Sequence, residues 1–459
     1  MDVSLNEINT LTRSIKGQDK YKIVQSALRS AHLKAVSVDQ NAINKLPHMF
    51  NHELPETVTA TNQFQSGRCW IFAGLNIFRH HLIRKYKLVP NYELSEAYIF
   101  KCDKFEKCNT VLETIYDMMK RGVSPTSLEL MTINGLLIED GGTAQQFTNI
   151  VKKYGVLPKI AFPDLSQVIN TGSMNNLLQI TIKKTLVTIN AKMTLSEFRK
   201  YKHTILEECN RIITLCVGNV PSEFQFQGKT YTSPITFYQT IVKPLINLDD
   251  YVCIANDPRH KYDTLICPEY LNNVLLPTDK NIKRKITNLY LNVDIKDMKD
   301  AVFKTITQQK APVWFATDYG TFVLNDMTVL DQRSSIIKNM FDTNFVFSKK
   351  TAIQTGITVG NHAMVLIGVQ TQKASKGKEN SKYLRWKVEN SHSSDTVLNG
   401  FLTMSDAFFE QYMIAVFVHK STLSVKQRKL VQSAASGKDV STITWVPFYD
   451  PLGFASYQK

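Results

Sequence analysis

Cys69 has the residue type and the position of a nucleophile. It opens the segment CWIFAGLNIFRHHLIRKY, which has few β-branched residues and no proline and is predicted to form a buried helix. A helix N-terminus carries about half a positive charge and favours the thiolate, the form of cysteine that attacks carbonyl groups. On position alone, an inert buried thiol would explain the residue equally well.

Gln63, which precedes Cys69 by six residues, is a candidate member of an oxyanion hole. Gly67 lies between them and allows the backbone to approach a substrate closely. The Gln63 side-chain amide and the Cys69 backbone N–H would then donate hydrogen bonds to a tetrahedral intermediate, each worth about 3 kcal/mol. A lone glutamine in a loop would ordinarily be a solvent-exposed residue, so the spacing carries the argument.

His362 and Asn390 are the candidate partners of the thiol. His362 precedes the apolar run AMVLIGV, and Asn390 follows the strand-like YLRWKVE. An asparagine that accepts the imidazole N–H fixes its tautomer without neutralising an imidazolium. His80 and His81 belong to the nucleophile helix itself and cannot fold back to its first turn. Taken singly, His362 and Asn390 would be ordinary structural residues.

These segments together resemble a known family. QFQSGRCWIF resembles the cysteine segment of papain-like peptidases, and SGRCW points to their bleomycin hydrolase branch. NHAMVLIGV, VENS, LSEAYIFKCDKFEKCN and VKPLINLDDYVCIANDPRHKYD resemble other segments of that branch, so the resemblance covers nearly the whole chain. It implies a cysteine aminopeptidase or amide hydrolase, without a cofactor, in which Cys69 attacks, His362 and Asn390 complete the triad and Gln63 stabilises the oxyanion.

The resemblance also implies where the substrate lies. Gly141 and Gly142 in EDGGTAQ resemble a glycine pair that lines the substrate cleft, although a plain turn would use the same residues. The tail motif DPLG resembles an arm whose terminal carboxylate limits cleavage to residues near a free amino terminus. This chain continues to Lys459, so the Lys459 carboxylate would take that role only if the tail is not trimmed.

One departure from the papain-like pattern follows Asn390. Papain-like enzymes usually continue with Ser-Trp-Gly, whereas this chain has Ser391 and then His392. The missing indole ordinarily shields the asparagine–histidine hydrogen bond from water. We therefore expect a shifted pH profile or reduced activity.

The helices and strands expected around these residues, together with the family resemblance, predict an α+β, papain-like fold. Helices are predicted at 95–105, 110–121 and 143–154, and the chain after residue 311 is rich in β-branched and aromatic residues. We expect a helical half, an antiparallel β-barrel half, a large mixed insertion and two terminal arms. The predicted divisions are 1–60 (N-terminal arm), 61–164 (helical half), 165–300 (insertion), 301–435 (β-rich half) and 436–459 (C-terminal arm).

Composition narrows the class of protein. Hydrophobic residues make up 43% and charged residues 21% of the 459 residues, as in globular proteins. The seven cysteines form no CxxC pair, so neither a disulfide framework nor a metal site is predicted, and a reducing compartment is expected. No apolar run is long enough for a membrane span or a signal peptide. We expect a cytoplasmic protein without membrane association.

The net charge of +15 leaves a second hypothesis open. Basic runs at 280–285, 373–382 and 426–429 would contact nucleic-acid phosphates or simply be solvated. The family resemblance implies a homohexamer that acts on peptides or small amides with a free amino terminus. The competing hypothesis is a basic hexamer that binds nucleic acid, with weak or lost peptidase activity.

Overall fold

The computed structural model describes residues 2–15, 18–54, 59–128, 130–131, 138–268, 288–319, 328–372, 382–392, 398–435, 443–447 and 450–452. Its helices are Leu5–Arg13, Asp19–Ser30, Leu33–Val36, Gln40–Asn44, Cys69–Tyr86, Glu96–Lys120, Ala144–Tyr154, Ser166–Ile169, Gly172–Lys183, Leu195–Val217, Pro234–Phe237, Ile295–Thr307, Ile337–Phe341, Lys349–Gln354, Asp406–Tyr412 and Val425–Ala435. Its strands are β1 (His52–Glu53), β2 (Phe224–Phe226), β3 (Lys229–Tyr231), β4 (Tyr251–Ala255), β5 (Thr264–Pro268), β6 (Tyr290–Asn292), β7 (Val313–Thr317), β8 (Val329–Leu330), β9 (His362–Gln372), β10 (Lys382–Glu389), β11 (Phe401–Ser405), β12 (Met413–His419) and β13 (Ile443–Val446).

The helix Cys69–Tyr86 is buried from its first residue to Ile83, as its apolar composition predicts. It packs against β9 and β7 on one side and against two further helices, Glu96–Lys120 and Ala144–Tyr154. The predicted pair of helices at 95–105 and 110–121 is one continuous helix, so that prediction was wrong at the break. The residues between have no glycine or proline to end a helix, and they are largely buried.

Most strands belong to one sheet. Within the described part of the chain, eleven strands form it, in the order β13-β5-β6-β4-β12-β7-β9-β10-β11-β8, with β1 also paired to β9. The α+β class is confirmed, but the sheet is mixed rather than wholly antiparallel. The pairs β4–β6, β5–β13 and β8–β11 are parallel. Closure into a barrel stays a prediction.

The segment 165–300 contributes to two layers. Its helices Gly172–Lys183 and Leu195–Val217 pack on Glu96–Lys120, while its strands β4 to β6 extend the main sheet. The boundary at residue 300 stays a prediction, although strands on both sides of it share one sheet.

The pairing of the central strands brings the candidate site residues to one end of the sheet. β7 and β9 run antiparallel with Thr317 opposite His362, so β9 begins where β7 ends. β10 is antiparallel to β9 and ends at Glu389, directly before Asn390. Consequently His362 and Asn390 emerge at the same edge, beneath which the helix Cys69–Tyr86 begins.

Candidate active site

Cys69 is the first residue of its helix and is buried, with 4% of its surface exposed. The backbone N–H of Ala363 donates to its Sγ over 3.4 Å. Ala363 directly follows His362 at the start of β9, although almost three hundred residues separate it from Cys69 along the chain. The structure therefore brings the predicted nucleophile to the predicted histidine.

His362 and Asn390 are hydrogen-bonded, with 2.8 Å between His362 Nε2 and Asn390 Oδ1. Both side chains are buried. Asn390 Oδ1 also accepts the backbone N–H of Ser391, at 2.8 Å, which orients the amide. Because this bond uses Nε2, the other ring nitrogen is the one available to exchange a proton with the thiol.

Gln63 is held beside Asn390 by Ser391. The Gln63 backbone N–H donates to the Ser391 carbonyl at 2.8 Å, and the Ser391 hydroxyl donates to Gln63 Oε1. Gln63 Nε2 donates to the Ser66 carbonyl at 2.6 Å, which uses one of its two N–H groups. The second N–H remains for another acceptor, as an oxyanion donor requires.

Burial acts in opposite directions on the two ionisable groups. It raises the pKa of the Cys69 thiol to about 11, against hydrogen bonds from the backbone N–H groups of Ala363 and Trp70. It lowers the pKa of the His362 imidazole to about 4; His392 adds to that shift and the Asn390 hydrogen bond opposes it. Burial thus disfavours a thiolate at Cys69 without a protonated His362, and a protonated His362 without a thiolate.

Asp140 anchors the loop before Cys69. Its carboxylate accepts the Gly67 backbone N–H at 2.9 Å and the Asn175 amide at 2.7 Å, and it also accepts from the Thr171 hydroxyl. Lys104 lies 2.8 Å away as its ion-pair partner. Burial alone would raise the pKa of Asp140, but Lys104 and these hydrogen bonds hold it well below its usual range.

Arg68, immediately before the nucleophile, is fully buried and forms a bidentate ion pair with Asp164, at 2.9 and 3.3 Å. Its Nε donates to the Ser66 hydroxyl at 2.9 Å. The loop that ends at Cys69 is thereby fixed from two directions, by Asp140 and by Asp164. No pattern in the sequence had indicated a role for Arg68.

The predicted substrate-binding glycines differ in their surroundings. A Cβ at Gly142 would lie 2.5 Å from the Trp70 ring, so the close approach of that indole requires glycine. Gly141 is only partly buried, and its carbonyl accepts from Lys107 Nζ at 2.6 Å. Substrate binding by the pair stays a prediction, and Gly141 is its more accessible member.

His392 occupies the position of the missing indole and covers the imidazole. The His362 and His392 rings stack with centroids 5.7 Å apart and planes inclined by 21°. The Tyr319 ring lies 4.8 Å from the His362 ring. A titratable ring therefore stands where the papain-like pattern has a neutral one.

A buried ion pair beside the site was missed from the sequence. Glu389, directly before Asn390, accepts from Arg79 at 3.2 Å and from His80 at 2.7 Å. Arg79 also donates to the carbonyls of Thr59, Pro90 and Tyr92. The signal in the sequence was the polar run Arg79-His80-His81 in the mostly apolar, buried part of the helix that begins at Cys69.

The C-terminal arm is attached to the main sheet. β13 pairs in parallel with β5, and Asp450 receives two hydrogen bonds from Arg259, at 2.7 and 2.9 Å. Asp257 holds the same guanidinium. Residues 453–459 lie outside the described part, and with them the predicted role of Lys459.

All seven cysteines are free thiols. Among the residues that the structure describes, no group of three or more histidine, cysteine or carboxylate side chains could hold a metal ion. A search of the same residues finds no helix with the length and apolarity needed to cross a membrane.

The chain is similar to a known protein family and to several of its members. The model of the Peptidase C1-like family matches residues 2–453. Bleomycin hydrolase of Homo sapiens is 29% identical over 470 residues, covering 97% of each chain. Bleomycin hydrolase of Gallus gallus is 30% identical over 450 residues, covering 91% of this chain and 92% of its own.

Bacterial relatives extend the comparison. Aminopeptidase G of Lactobacillus delbrueckii subsp. lactis is 29% identical over 448 residues, covering 94% of this chain and 97% of its own. The crystal structure of PepW from Lactobacillus rhamnosis superposes with a TM-score of 0.87 at 26% identity and covers 99% of both chains.

Proposed function

Because this chain belongs to the Peptidase C1-like family and is similar over almost its full length to bleomycin hydrolases and aminopeptidases, we propose that Cys69, His362 and Asn390 carry its cysteine aminopeptidase reaction. The observation that carries the proposal is the hydrogen bond from the backbone N–H of Ala363, the second residue of β9, to the buried Cys69 thiol. Ala363 directly follows His362, and His362 is hydrogen-bonded to Asn390.

In the first half of the reaction, Cys69 Sγ attacks the carbonyl carbon of the substrate's first peptide or amide bond while His362 takes the thiol proton. The carbonyl oxygen becomes an oxyanion that receives hydrogen bonds from the Cys69 backbone N–H and from Gln63 Nε2. The support for Gln63 is its second amide N–H together with its attachment to Ser391.

In the second half, His362 protonates the leaving amine, the C–N bond breaks and a thioester to Cys69 remains. Water then attacks the thioester and gives a proton to His362, the C–S bond breaks to release the amino acid, and His362 returns the proton to the Cys69 thiolate. Asn390 keeps the imidazole in one orientation throughout, since its amide accepts from the ring nitrogen that does not exchange the proton.

The C-terminal arm is proposed to restrict cleavage to amino-terminal residues. A terminal carboxylate in the cleft would pair with the substrate's ammonium group. The Arg259–Asp450 pair supports this role because it fixes the arm nine residues before Lys459. We also propose that the protein is a homohexamer and that it is located in the cytoplasm.

The alternative function is nucleic-acid binding by a basic assembly, and the net charge of +15 is the observation that favours it. Of the three basic runs, 280–285 lies outside the described residues, as does 373–382 apart from its last residue. Lys426, in the third, is paired with Asp263 at 3.3 Å. DNA retention that falls steeply with salt, without amide hydrolysis, would support this alternative.

The test is hydrolysis of a panel of aminoacyl fluorogenic amides at neutral pH with reductant. Wild type is compared with Cys69→Ala and with a form that ends at Ala455. Cys216→Ala is the matched control, because Cys216 is a half-buried thiol on a helix away from the site.

We expect activity in wild type and in Cys216→Ala and none in Cys69→Ala. Hydrolysis of amino-blocked versions of these amides by the shortened form, but not by wild type, would support the role of the arm. Wild type without activity, and with Cys69 alkylated no faster than the other thiols, would overturn the proposal.

A further inference from the structure

Phe64 combines two features that are rarely found together in a large apolar residue. Its backbone is left-handed, with φ at 53°, a region that bulky residues avoid and glycine enters freely. Its side chain is 49% exposed, although the adjacent Gln63 is buried in the candidate site. About half of the surface of Phe64 therefore stays in solvent, at a position where the backbone disfavours a bulky residue.

The loop around Phe64 is fixed on both sides. The Phe64 N–H donates to Asn62 Oδ1 at 2.9 Å, and the Gln65 N–H donates to the Ile169 carbonyl at 3.0 Å. Asn170 Nδ2 also donates to Gln65 Oε1 at 3.1 Å. The backbone that carries the ring is thus held in place, and backbone strain of this kind is typically kept at functional sites.

The chemistry of the site defines which side of the substrate Phe64 faces. His362 protonates the leaving amine and must lie on the leaving-group side of the scissile bond. Gln63 is tied to Ser391, which follows the asparagine that orients His362. The other end of the same loop, at Gly67, is tied to Asp140 beside the glycine pair. Phe64 therefore belongs to the leaving-group end of the loop.

We propose that Phe64 is a specificity-determining residue whose ring contacts the side chain of the residue that follows the scissile bond. The proposal rests on the proposed function, because it needs Cys69 and His362 to define the scissile bond. It assigns the enzyme a preference for peptides whose second residue is large and apolar, since such a side chain gains from covering the exposed ring.

The test uses C-terminally amidated dipeptides that share one amino-terminal residue and carry glycine, alanine, leucine or phenylalanine in second place. Wild type is compared with Phe64→Gly, which suits the left-handed backbone and is not expected to lose stability. Gln227→Gly is the matched control. Gln227 is also exposed and left-handed, with φ at 49°, but it lies in the turn between β2 and β3.

We expect Phe64→Gly to reduce the leucine-to-glycine and phenylalanine-to-glycine ratios of kcat/KM about fivefold to tenfold, the loss expected when part of a side chain is no longer covered. Gln227→Gly should leave these ratios unchanged, and the alkylation rate of Cys69 should be the same in all three proteins. Unchanged ratios in Phe64→Gly would overturn the proposal.

Two other results separate the alternatives. Unchanged ratios together with a lower molar mass of Phe64→Gly by light scattering would assign the ring to a contact between subunits and would also overturn the proposal. Wild type that cleaves none of the dipeptides, and behaves like Cys69→Ala, would overturn the proposed function and the specificity role with it.

Discussion

The His80 imidazole and the Glu389 carboxylate lie 2.7 Å apart in the protein interior, although 309 residues separate them in sequence. Arg79 binds the other carboxylate oxygen at 3.2 Å. Glu389 ends β10 and is followed by Asn390, while Arg79 and His80 belong to the helix that Cys69 begins. The pair therefore joins the helix that begins at Cys69, the proposed nucleophile, to the strand that ends next to Asn390, the proposed partner of His362.

Replacing Glu389 by alanine is expected to lower the free energy of unfolding by about 3–5 kcal/mol, because Arg79 is left buried without its carboxylate partner. Glu389→Gln retains an acceptor of the same shape and should lose less. Urea denaturation measures both changes, and kcat/KM of the folded variants reports on Asn390. An alanine variant as stable as wild type would contradict the importance of the pair.

The sequence indicates the proposed reacting groups more clearly than the residues that support them. Cys69 and Gln63 carry a recognisable spacing, and His362 and Asn390 border strands that can be identified from their composition. The Glu389 pair could not be predicted, because which charged residues meet depends on the register of β10 against β9 and on how the helix rotates beneath them.

The same limit applies to the fold. The α+β class and the buried helix at Cys69 follow from local composition. The continuation of one helix through residues 106–109 does not, because burial against the helices Gly172–Lys183 and Leu195–Val217 overrides the local pattern there. Likewise the parallel pairs β4–β6 and β8–β11 depend on connections that no local signal specifies.

The pKa of His362 predicts how stability depends on pH. Burial lowers it to about 4 in the folded state, whereas an unfolded histidine has a pKa of about 6.5. Between these values the unfolded chain binds more protons, so the contribution of neutral His362 is complete above pH 6.5 and is lost as the pH falls toward 4. The loss should approach about 3 kcal/mol, since each pKa unit corresponds to about 1.4 kcal/mol.

His362→Gln removes this titration while it preserves much of the shape of the side chain. We expect the stability advantage of wild type over the variant, measured by urea denaturation at a series of pH values, to shrink between pH 6.5 and 4. The opposite trend, an advantage that grows on acidification, would show that a thiolate at Cys69 holds the imidazole in its charged form.

Among the residues that hold the loop before Cys69, Asp140 is expected to be the most sensitive to substitution. Asp140→Asn keeps the side-chain shape but leaves Lys104 buried without its charge partner, at 2.8 Å in wild type. We expect a loss of about 3–5 kcal/mol in the free energy of unfolding. Lys104→Met removes the other partner of this ion pair and is measured for comparison.

If the two groups act as a pair, the double variant Asp140→Asn with Lys104→Met should be less destabilised than the sum of the single changes. Urea denaturation of all three proteins gives the coupling free energy. Strict additivity would mean that the hydrogen bonds from Gly67, Thr171 and Asn175 carry the role of Asp140 and that the ion pair is dispensable.

His392 is expected to set the acid limb of the pH–activity profile. Burial is the main cause of the low pKa of His362, and His392 adds to it, because two protonated rings with centroids 5.7 Å apart repel each other. His392→Trp restores the indole of the papain-like pattern and removes the repulsion. The acid limb of kcat/KM should then move to higher pH, by less than about one unit because His392 is exposed and solvent screens its charge.

His392→Phe distinguishes the loss of charge from the gain of an indole, since it keeps an aromatic ring but cannot be protonated. Both variants should shift the acid limb in the same direction, as measured with one aminoacyl amide between pH 4 and 8. A shift in His392→Trp alone would assign the effect to shielding of the His362–Asn390 hydrogen bond from water. An unmoved limb in both would show that the charge of His392 does not reach the reacting pair.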